Sequence, residues 1–404
     1  MKVLQINTVC GTGSTGRIAV DLYHKLEAQG HECLIAYGRG KAPEGIHAVR
    51  IGNDLDTYMH AAMTRITDKT GFYSRRATRK FIEKIKEYQP DLIHLHNLHG
   101  YYLDIQQLFH YIRKEQIPVV WTLHDCWAFT GHCSYFDSAG CNKWQEGCNN
   151  CPQKREYPAS IVFDNSKWNY KQKKQLFTSL KTMQIITPSK WLQTVVKQSF
   201  LNKYPVDYIY NGIDTSVFKP KKSNILKKYN INNKFVILGV SNVWATRKGL
   251  HDFCSLSSQL GNEYQIILVG VNENQLKELP KSIIGIKRTE NLTELTELYT
   301  AADVYMNLSC EETFGMTTIE ALACGTPVIV YDKTAIAEPI QGSYGIALPY
   351  GNLSAVITAV KQLQSLPVTA DECVNAASQY KLEYMLNHYY EIYRLLEKSA
   401  GNGS

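Results

Sequence analysis

The sequence predicts an α/β protein made of two doubly wound parallel-sheet domains. At 404 residues the chain exceeds one ordinary domain, so two domains of roughly 200 residues each are expected. Short β-branched apolar runs alternate with segments of helical period, which is the pattern of buried parallel strands joined by crossover helices. The alternation restarts once, after a lysine-rich segment. We therefore expect two sheets of similar organisation that face each other across one cleft.

The first half of the chain contains six predicted strands. They are KVLQINT (2–8), ECLIAYG (32–38), DLIHLHN (91–97), PVVWTLH (118–124), MQIITPS (183–189) and VDYIYNG (206–212). Segments of helical period stand between them at 17–29, 75–88, 102–115 and 189–200. The first domain is therefore predicted to span 1–213, with a cysteine-rich insertion at about 126–158.

The second half repeats this pattern after KPKKSNILKKYNINN (219–233), a polar segment that we predict to be an inter-domain linker. The predicted strands are 234–241, 264–271, 284–289, 304–309, 326–331 and 345–350. The second domain is predicted to span 214–380. The final segment, 381–404, is predicted to form a helix anchored by tyrosines and leucines, with GNGS as a frayed end.

The formal net charge of +7 is unevenly distributed. The stretch 65–86 carries eight Lys or Arg against two Asp or Glu, and 154–203 is also basic. Such surfaces suit anionic lipid headgroups or phosphorylated substrates, and a solvated helix face is the open alternative. No nucleic-acid-binding signature is present, so nucleic acid is not an expected partner. Without a signal peptide or an apolar run of about 18 residues, we expect a cytoplasmic protein.

The stretch EETFGMTTIEALACGTPVIV (311–330) is the strongest local signal. It places Glu312 on the loop that leaves a predicted strand and Glu320 in the following helix. Carboxylates accept paired hydrogen bonds from vicinal hydroxyls, so this pair suits a ligand with two sugar rings. The backbone amides of Gly315, Met316 and Thr317, at the start of the helix, suit a phosphate between those rings. Two solvated surface glutamates remain the alternative.

A basic pair follows the first strand of the second domain, in SNVWATRKGL (241–250). Arg247 and Lys248 precede the glycine that opens the next helix, so they can neutralise a diphosphate leaving group. Cation pairs on loops are often inert. The position at the carboxyl end of a parallel strand favours the functional interpretation.

A glycine-rich turn, CGTGSTGRIAV (10–20), joins the first strand to the first helix. Gly11, Gly13 and Gly16 match G-x-G-x-x-G, but no acidic residue closes the second strand, so the turn does not select a dinucleotide. Its backbone can still approach a phosphate or a sugar closely. His124 ends a neighbouring strand, as His96 does, and we expect His124 to point into the crevice.

Four cysteines crowd one loop of the first domain, namely Cys133, Cys141, Cys148 and Cys151. Four thiolates ending in a C-x2-C knuckle are sufficient for a closed structural zinc site, which leaves no position for water or substrate. Cys126, His124 and His132 are alternative ligands. Four reduced cysteines in a surface loop are the competing interpretation, since cytoplasmic thiols stay reduced.

Taken together, these motifs resemble the family 4 retaining glycosyltransferases of the GT-B fold, which have two Rossmann-like domains, over essentially the whole chain. The resemblance is carried by Glu312 and Glu320 in E-x7-E, NGID (211–214) before SVFKP, PSKW (188–191) and RKGL (247–250). It implies that the second domain binds a nucleotide-sugar donor, a UDP- or GDP-sugar, and that the first binds the acceptor. It further implies that the C-terminal helix crosses back onto the first domain.

The same resemblance implies a role for each candidate residue. Glu320 would hold the ribose hydroxyls and Glu312 those of the transferred sugar. Arg247 and Lys248 would bind the diphosphate, and His124 would hydrogen-bond the sugar or the β-phosphate. The glycine loop would lie near the diphosphate and the acceptor. One departure weakens the diphosphate assignment, because many family members have a Gly-Arg pair where this chain reads GVSN.

The stretch TLHDCWAFTGHCSYF resembles transferases of capsular, exopolysaccharide, lipopolysaccharide or colanic-acid-type assembly. These act on lipid-linked or oligosaccharide acceptors at the inner face of the cytoplasmic membrane, where the basic stretch 65–86 would contact anionic lipid. The family implies retention of configuration by front-face attack. No Asp-x-Asp motif stands at a predicted strand end, so we expect catalysis without a metal ion.

Two other functions remain open. A nucleotide-sugar 2-epimerase of the same fold needs carboxylates around the sugar and no acceptor. A non-catalytic protein would use the sugar-nucleotide pocket to regulate a transferase; the presence of Glu312, Glu320 and Lys248 argues against it.

Overall fold

The computed structural model describes residues 1–401 and the side chains of residues 1–398. The chain divides into two compact units. The first contains residues 1–209 together with the chain from 386 onward, and the second contains residues 210–385. Beyond Gly401, the predicted frayed end lies outside the described residues.

A parallel sheet of seven strands forms the first unit. The strands are β1 (Lys2–Val9), β2 (Glu32–Arg39), β3 (Ala48–Arg50), β4 (Leu92–Leu95), β5 (Val119–Thr122), β6 (Met183–Thr187) and β7 (Val206–Tyr208). The helices are α1 (Gly13–Ala28), α2 (Asp54–Thr67), α3 (Arg75–Tyr88), α4 (Ile105–Glu115), α5 (Ser166–Phe177) and α6 (Lys190–Lys197). The strand order β3-β2-β1-β4-β5-β6-β7 reverses direction between β1 and β4. Ligands bind at such a switch point in open parallel sheets.

The second unit repeats the plan with a parallel sheet of six strands. The strands are β8 (Phe235–Val240), β9 (Tyr264–Val269), β10 (Ile283–Ile286), β11 (Val304–Asn307), β12 (Val328–Tyr331) and β13 (Gly345–Leu348). The helices are α7 (Ile225–Lys228), α8 (Leu250–Ser257), α9 (Glu273–Glu278), α10 (Leu292–Ala301), α11 (Met316–Ala323), α12 (Leu353–Ser365) and α13 (Ala370–Ala377), followed by α14 (Leu382–Gly401). Its order, β10-β9-β8-β11-β12-β13, places the switch point between β8 and β11. The predicted class, α/β with two doubly wound parallel sheets, is confirmed.

The prediction of a linker at 219–233 is wrong. The segment lies inside the second unit, where α7 forms within it. Ile225 and Ile231 are buried in the core of that unit together with the preceding Phe218. The lysines around these residues gave the segment its polar composition, but the spaced apolar side chains are what attach it to the unit.

The NGID motif has a structural role inside the second unit. Ile213 donates a backbone hydrogen bond of 2.7 Å to the carbonyl of Tyr380 and accepts one of 2.9 Å from the amide of Leu382. A Cβ on Gly212 would lie 2.6 Å from the Cα of Leu382, so only glycine allows the two segments to pass at this distance. Residues 212–213 therefore hold the start of α14.

The described part of α14 from residue 386 belongs to the first unit and packs through its tyrosines. The Tyr393 hydroxyl lies 2.6 Å from Nδ1 of His94, and the Tyr389 hydroxyl lies 2.9 Å from Oγ1 of Thr122. His94 also contacts Thr122 through Nε2 at 2.8 Å. His94 is fully buried, so it is a structural residue of the core. Within residues 1–401, none of the helices has the length and apolar character needed to cross a bilayer.

We predict that Tyr393→Phe destabilises the first unit. The substitution leaves His94 Nδ1 buried without its hydroxyl partner, which costs about 1–3 kcal/mol. The measurement is the midpoint of urea unfolding followed by circular dichroism. Tyr58→Phe is the matched control, since the Tyr58 side chain is 73% exposed. Equal midpoints for the two variants would contradict the prediction.

Candidate functional site

The switch point of the second sheet brings the loops after β8 and β11 into contact. The amide of Cys310 donates to the carbonyl of Arg247 at 2.8 Å. Gly249 has a φ of +76°, and a Cβ there would lie 2.2 Å from the carbonyl oxygen of Leu308. Both the backbone conformation and the close approach therefore require glycine. This packing places Arg247 and Lys248 beside Glu312.

Glu312 lies between the two cations. Lys248 Nζ contacts Glu312 Oε1 directly, while Arg247 Nη1 lies 3.8 Å from Oε2 and donates to the carbonyl of Glu311 at 2.8 Å. The side chains of Glu312 and Lys248 are only 12% and 19% exposed. Burial raises the pKa of Glu312, but the charges of Lys248 and Arg247 outweigh it and lower the pKa below its ordinary value. Glu312 is therefore ionised at neutral pH.

The loop after β12 holds the backbone of Glu312. Its amide donates to Oγ1 of Thr334 at 3.0 Å, and its carbonyl accepts from the same hydroxyl at 3.0 Å. Ser309 Oγ lies 3.4 Å from the carboxylate. Sequence reasoning missed Thr334, although its position shortly after a predicted strand was the available signal.

Glu320 lies on α11 and has a different partner. The hydroxyl of the fully buried Tyr299 donates to Glu320 Oε2 at 2.8 Å. Burial, followed by the charge of Glu320, raises the pKa of Tyr299 well above its ordinary value, so the hydroxyl keeps its proton. Tyr299 belongs to α10, 13 residues before Glu312, and no local pattern pointed to it. The two glutamates thus sit in separate settings, one beside cations and one beside a phenol.

Helix α11 begins at Met316, directly after Gly315, whose φ is +88°. Gly315 is the N-cap residue and, having no side chain, makes no side-chain cap. The Thr317 hydroxyl is 2.6 Å from that of Tyr305, so this side chain points into the protein while its backbone stays at the helix start. That Gly315, Met316 and Thr317 bind a phosphate through their amides stays a prediction.

In the first unit, His124 lies in a chain of neutral polar groups. Its Nε2 is 3.1 Å from Nδ1 of His96, whose Nε2 is 3.2 Å from Oε1 of Gln5. Burial lowers the pKa of His124 to about 4, with Asp125 opposing the shift. Asp125 Oδ2 lies 2.8 Å from Nε2 of His99. His124 is therefore a neutral imidazole at physiological pH.

The glycine turn lies at the switch point of the first sheet. Gly11 donates to the carbonyl of Gly16 at 3.0 Å, and Gly13 starts α1 with a φ of +64°. Thr8, at the end of β1, donates to the carbonyl of Asn97 after β4 at 3.0 Å. The turn and the segment after β4 therefore lie side by side, as ligand-binding loops of such sheets do.

The four cysteines of the insertion line one pocket. They are Cys133, Cys141, Cys148 and Cys151, and the other lining residues include Phe136, Trp144, His132 and Lys143. The amide of Gly131 donates to Cys148 Sγ at 3.1 Å. A hydrogen bond from the Cys133 thiol lowers the pKa of Cys151 to about 7. Among the described residues, however, no three His, Cys, Asp or Glu side chains are arranged to hold a metal ion.

Two of the three alternative zinc ligands, His132 and His124, have partners elsewhere. His132 contacts Asp68 through Nδ1 and lies 3.3 Å from the carbonyl of Glu156 through Nε2. His124 contacts His96. The insertion is part of the core of the first unit, since Phe136 and Trp144 are buried there.

Two family models match the chain. The model described as "Glycosyltransferase Family 4" matches residues 15–217, just over half of the chain. The model described as "Glycosyl transferases group 1" matches residues 234–365.

Curated relatives share moderate identity with parts of the chain. A putative colanic acid biosynthesis glycosyl transferase, WcaC of Escherichia coli K12, is 29% identical over 228 residues, 53% of this chain and 55% of the relative. The O-antigen chain mannosyltransferase RfbU of Salmonella typhimurium is 27% identical over 203 residues, 47% of this chain and 54% of the relative. The chain thus spans about half the length of these curated relatives.

A solved structure covers nearly the whole chain. Anabaena Alr3699/HepE in complex with UDP and glucose superposes with a TM-score of 0.68 at 17% identity, covering 98% of this chain and 99% of that one. At this identity the likeness shows the fold, and the predicted GT-B fold is confirmed.

We predict that Lys248→Met destabilises the second unit in a pH-dependent way. Removing one partner of a buried ion pair costs about 3 kcal/mol at pH 7.5, because Glu312 loses its nearest cation. The substitution raises the folded-state pKa of Glu312. As the pH falls, the Glu312 carboxylate of the variant is therefore protonated at a pH at which that of the wild type is still ionised. The penalty therefore shrinks toward pH 4.5.

The measurement is the free energy of urea unfolding from pH 4.5 to 7.5. Lys277→Met, at an exposed lysine on α9, is the control and should behave like the wild type throughout. A penalty for Lys248→Met that does not change with pH would show that Glu312 is not the group coupled to Lys248.

Proposed function

The chain belongs to glycosyltransferase family 4, and from this membership and the geometry of the site we propose that it is a retaining glycosyltransferase. It would transfer a sugar from a nucleotide-sugar donor to a lipid-linked or oligosaccharide acceptor. The observation that carries the proposal is the cluster of Glu312, Lys248 and Arg247 at the switch point of the second sheet. The similarity to enzymes of colanic acid and O-antigen assembly supports a role in surface polysaccharide synthesis.

In this proposal the second domain, 214–380, binds the donor, and the first, 1–213, binds the acceptor. Glu320 accepts hydrogen bonds from the ribose hydroxyls, with Tyr299 holding its other side. Arg247 and Lys248 bind the diphosphate, and the amides of Gly315 to Thr317 approach it from the start of α11. The donor would be a UDP- or GDP-sugar; HepE, which shares the fold, binds UDP.

The Lys248–Glu312 contact suggests how the donor enters. The diphosphate competes for Lys248, and the hydroxyls of the sugar compete for Glu312, so the donor replaces one internal ion pair by two charge-assisted interactions. Because both groups are already charged and largely buried, little reorganisation is needed when the donor arrives. This exchange keeps the buried carboxylate and the buried ammonium partnered in both states.

The reaction breaks the bond between the anomeric carbon and the β-phosphate oxygen. The acceptor oxygen forms its bond to the same face of that carbon, and its proton passes to the departing phosphate. Arg247 and Lys248 stabilise the charge that develops on the leaving group, so the proposed catalysis needs no metal ion. His124, a neutral imidazole at physiological pH, would donate one hydrogen bond to the sugar or the β-phosphate.

We predict that a donor stabilises the protein through Glu320. At 100 times its Kd, a ligand specific for the folded state stabilises it by about 2.7 kcal/mol, which a thermal-shift screen of UDP-, GDP- and dTDP-sugars detects. Glu320→Gln should raise the Kd of the donor about tenfold, since a hydrogen bond to a charged group is lost, and should reduce the stabilisation accordingly. Glu278→Gln, at an exposed glutamate on α9, is the control and should respond like the wild type.

An activity assay separates the competing functions. Purified protein with the stabilising donor and lipid-linked acceptors should transfer the sugar or slowly hydrolyse the donor, and Glu312→Ala should abolish both. Conversion of UDP-GlcNAc without any acceptor would instead identify a 2-epimerase. Neither transfer nor hydrolysis, together with normal glycan assembly in cells carrying Glu312→Ala, would identify a non-catalytic protein.

The cysteine pocket is proposed as a structural zinc site. Support comes from the four thiols that line one pocket and from the Gly131 amide, which donates to Cys148 Sγ. The thiols would have to close around the ion, and binding of the metal would then order the insertion. A closed four-thiolate site has no open position, so the zinc would shape the acceptor domain without taking part in the chemistry.

The predicted outcome is about one equivalent of zinc per chain in protein purified without a histidine tag. Elemental analysis measures it, and Cys148→Ser and Cys151→Ser should each reduce the content sharply. Cys254→Ser, which changes a half-buried cysteine of α8 in the second unit, is the control and should retain the metal. Wild-type protein with well under one equivalent would contradict the proposal.

The proposed site of action is the cytoplasmic face of the membrane, where lipid-linked acceptors are assembled. The nature of the proposed acceptor and the basic stretches of the first domain support this proposal.

A further inference from the structure

Helix α2 is oriented with its polar side inward. The buried residues of α2 are His60 and Thr64. Large apolar side chains occupy the opposite side and are exposed to solvent, namely Leu55, Tyr58, Met59, Met63 and Ile66. Their spacing of three or four residues places them in one stripe along the helix. A surface helix of a globular protein normally buries that stripe.

Hydrogen bonds hold α2 in this orientation. His60 Nδ1 lies 2.8 Å from Oγ of Ser74, and the amide of Gly71 donates to His60 Nε2 at 3.1 Å. At the end of the helix, the Thr67 hydroxyl lies 2.6 Å from that of Tyr73. A rotation that buried the apolar stripe would break all of these contacts. The exposure of the stripe is therefore built into the fold.

A second exposed apolar segment extends the stripe. Ile161, Val162 and Phe163 are all more than half exposed, in a loop that is tied to the end of α2. The amide of Ile161 donates to the carbonyl of Arg65 at 2.7 Å, and that of Phe163 donates to the carbonyl of Ile66 at 3.0 Å. The stripe and segment 161–163 therefore form one continuous apolar surface, called the α2 surface below.

Cationic side chains lie on both segments of the α2 surface and next to them in sequence. Those on the two segments and their flanks are Arg65, Lys69, Lys154, Arg155 and Lys167. Lys154 Nζ donates to the carbonyl of Val162 at 3.1 Å, which fixes one charge beside the apolar side chains. Two nearby carboxylates have partners of their own: the buried Asp68 contacts His132, and the exposed Asp164 accepts from the amide of Cys151 at 2.6 Å. Glu156, next to Arg155, is exposed.

We infer that the α2 surface docks on an anionic lipid bilayer, with its apolar side chains inserted at the boundary between headgroups and acyl chains. Apolar side chains bordered by cations match such a bilayer in both polarity and charge. A second copy of the chain fits less well, because face-to-face pairing of this surface would bring its own cations together. The inference rests on the proposed function only for the purpose of the docking, which is to hold the enzyme beside a lipid-linked acceptor.

Sedimentation with lipid vesicles tests the inference without any substrate. Full-length protein should bind vesicles of phosphatidylcholine with 30% phosphatidylglycerol, and binding should fall at high salt and on pure phosphatidylcholine. Met59→Glu on the helix and Val162→Glu on the loop should each weaken partitioning by about tenfold, because a charge must enter the apolar boundary. Leu366→Glu is the control, since Leu366 is 71% exposed in the second unit, and it should partition like the wild type.

Three outcomes would overturn the inference. The first is wild-type protein that stays in the supernatant with anionic vesicles, and the second is glutamate variants that bind as well as the wild type. The third is a dimer in analytical ultracentrifugation that Met59→Glu converts to a monomer, which would make the α2 surface a self-interface. The two variants lie on different segments, so misfolding of one leaves the other informative. Donor-induced stabilisation should be unchanged in both variants, which separates failure of docking from failure of the proposed function.

Discussion

The contact between Gly249 and the carbonyl of Leu308 is the constraint on which the site of the second unit depends. No other residue allows the loop after β8 to lie directly on the loop after β11. That approach brings Lys248 and Arg247 to Glu312, and the two cations keep the carboxylate ionised although it is largely buried. A buried charged cluster is stable only when each charge has a partner. An anionic ligand that binds Lys248 must therefore replace Glu312 as the partner of that lysine.

The two sheets use the same topology for different chemistry. Each reverses its strand order once. The glycine turn follows β1 at the first reversal, and Arg247, Lys248 and Glu312 follow β8 and β11 at the second, whereas His124 follows the neighbouring strand β5. In the second unit Lys248 and Arg247 keep Glu312 ionised, and in the proposed function the two cations bind the diphosphate. In the first unit, burial makes His124 and His96 neutral, so they offer hydrogen bonds without charge. Neutral donors and acceptors are suited to hydroxyl groups, which an acceptor glycan presents.

Features outside the sheets depended on contacts that are distant in sequence. The lysine-rich composition of 219–233 is typical of a linker, yet Ile225 and Ile231 attach this segment to the core of the second unit. The four cysteines are close in sequence and do line one pocket. Their spacing did not indicate that His132, an alternative ligand, would bind Asp68 instead. In both cases the decisive partner lies tens of residues away, where local pattern carries no information.

The sequence by itself determined the α/β class, the two parallel sheets and the loops that bear Glu312, Arg247, Lys248 and His124, because strand and helix periodicities are local. Only the tertiary structure decided that Lys248 pairs with Glu312, that Tyr299 and Thr334 support the two motifs, and that His94 is a core residue bound to Tyr393. It also decided which side of α2 faces the solvent. A periodic apolar stripe predicts a helix, but the hydrogen bonds of His60 turned that stripe outward.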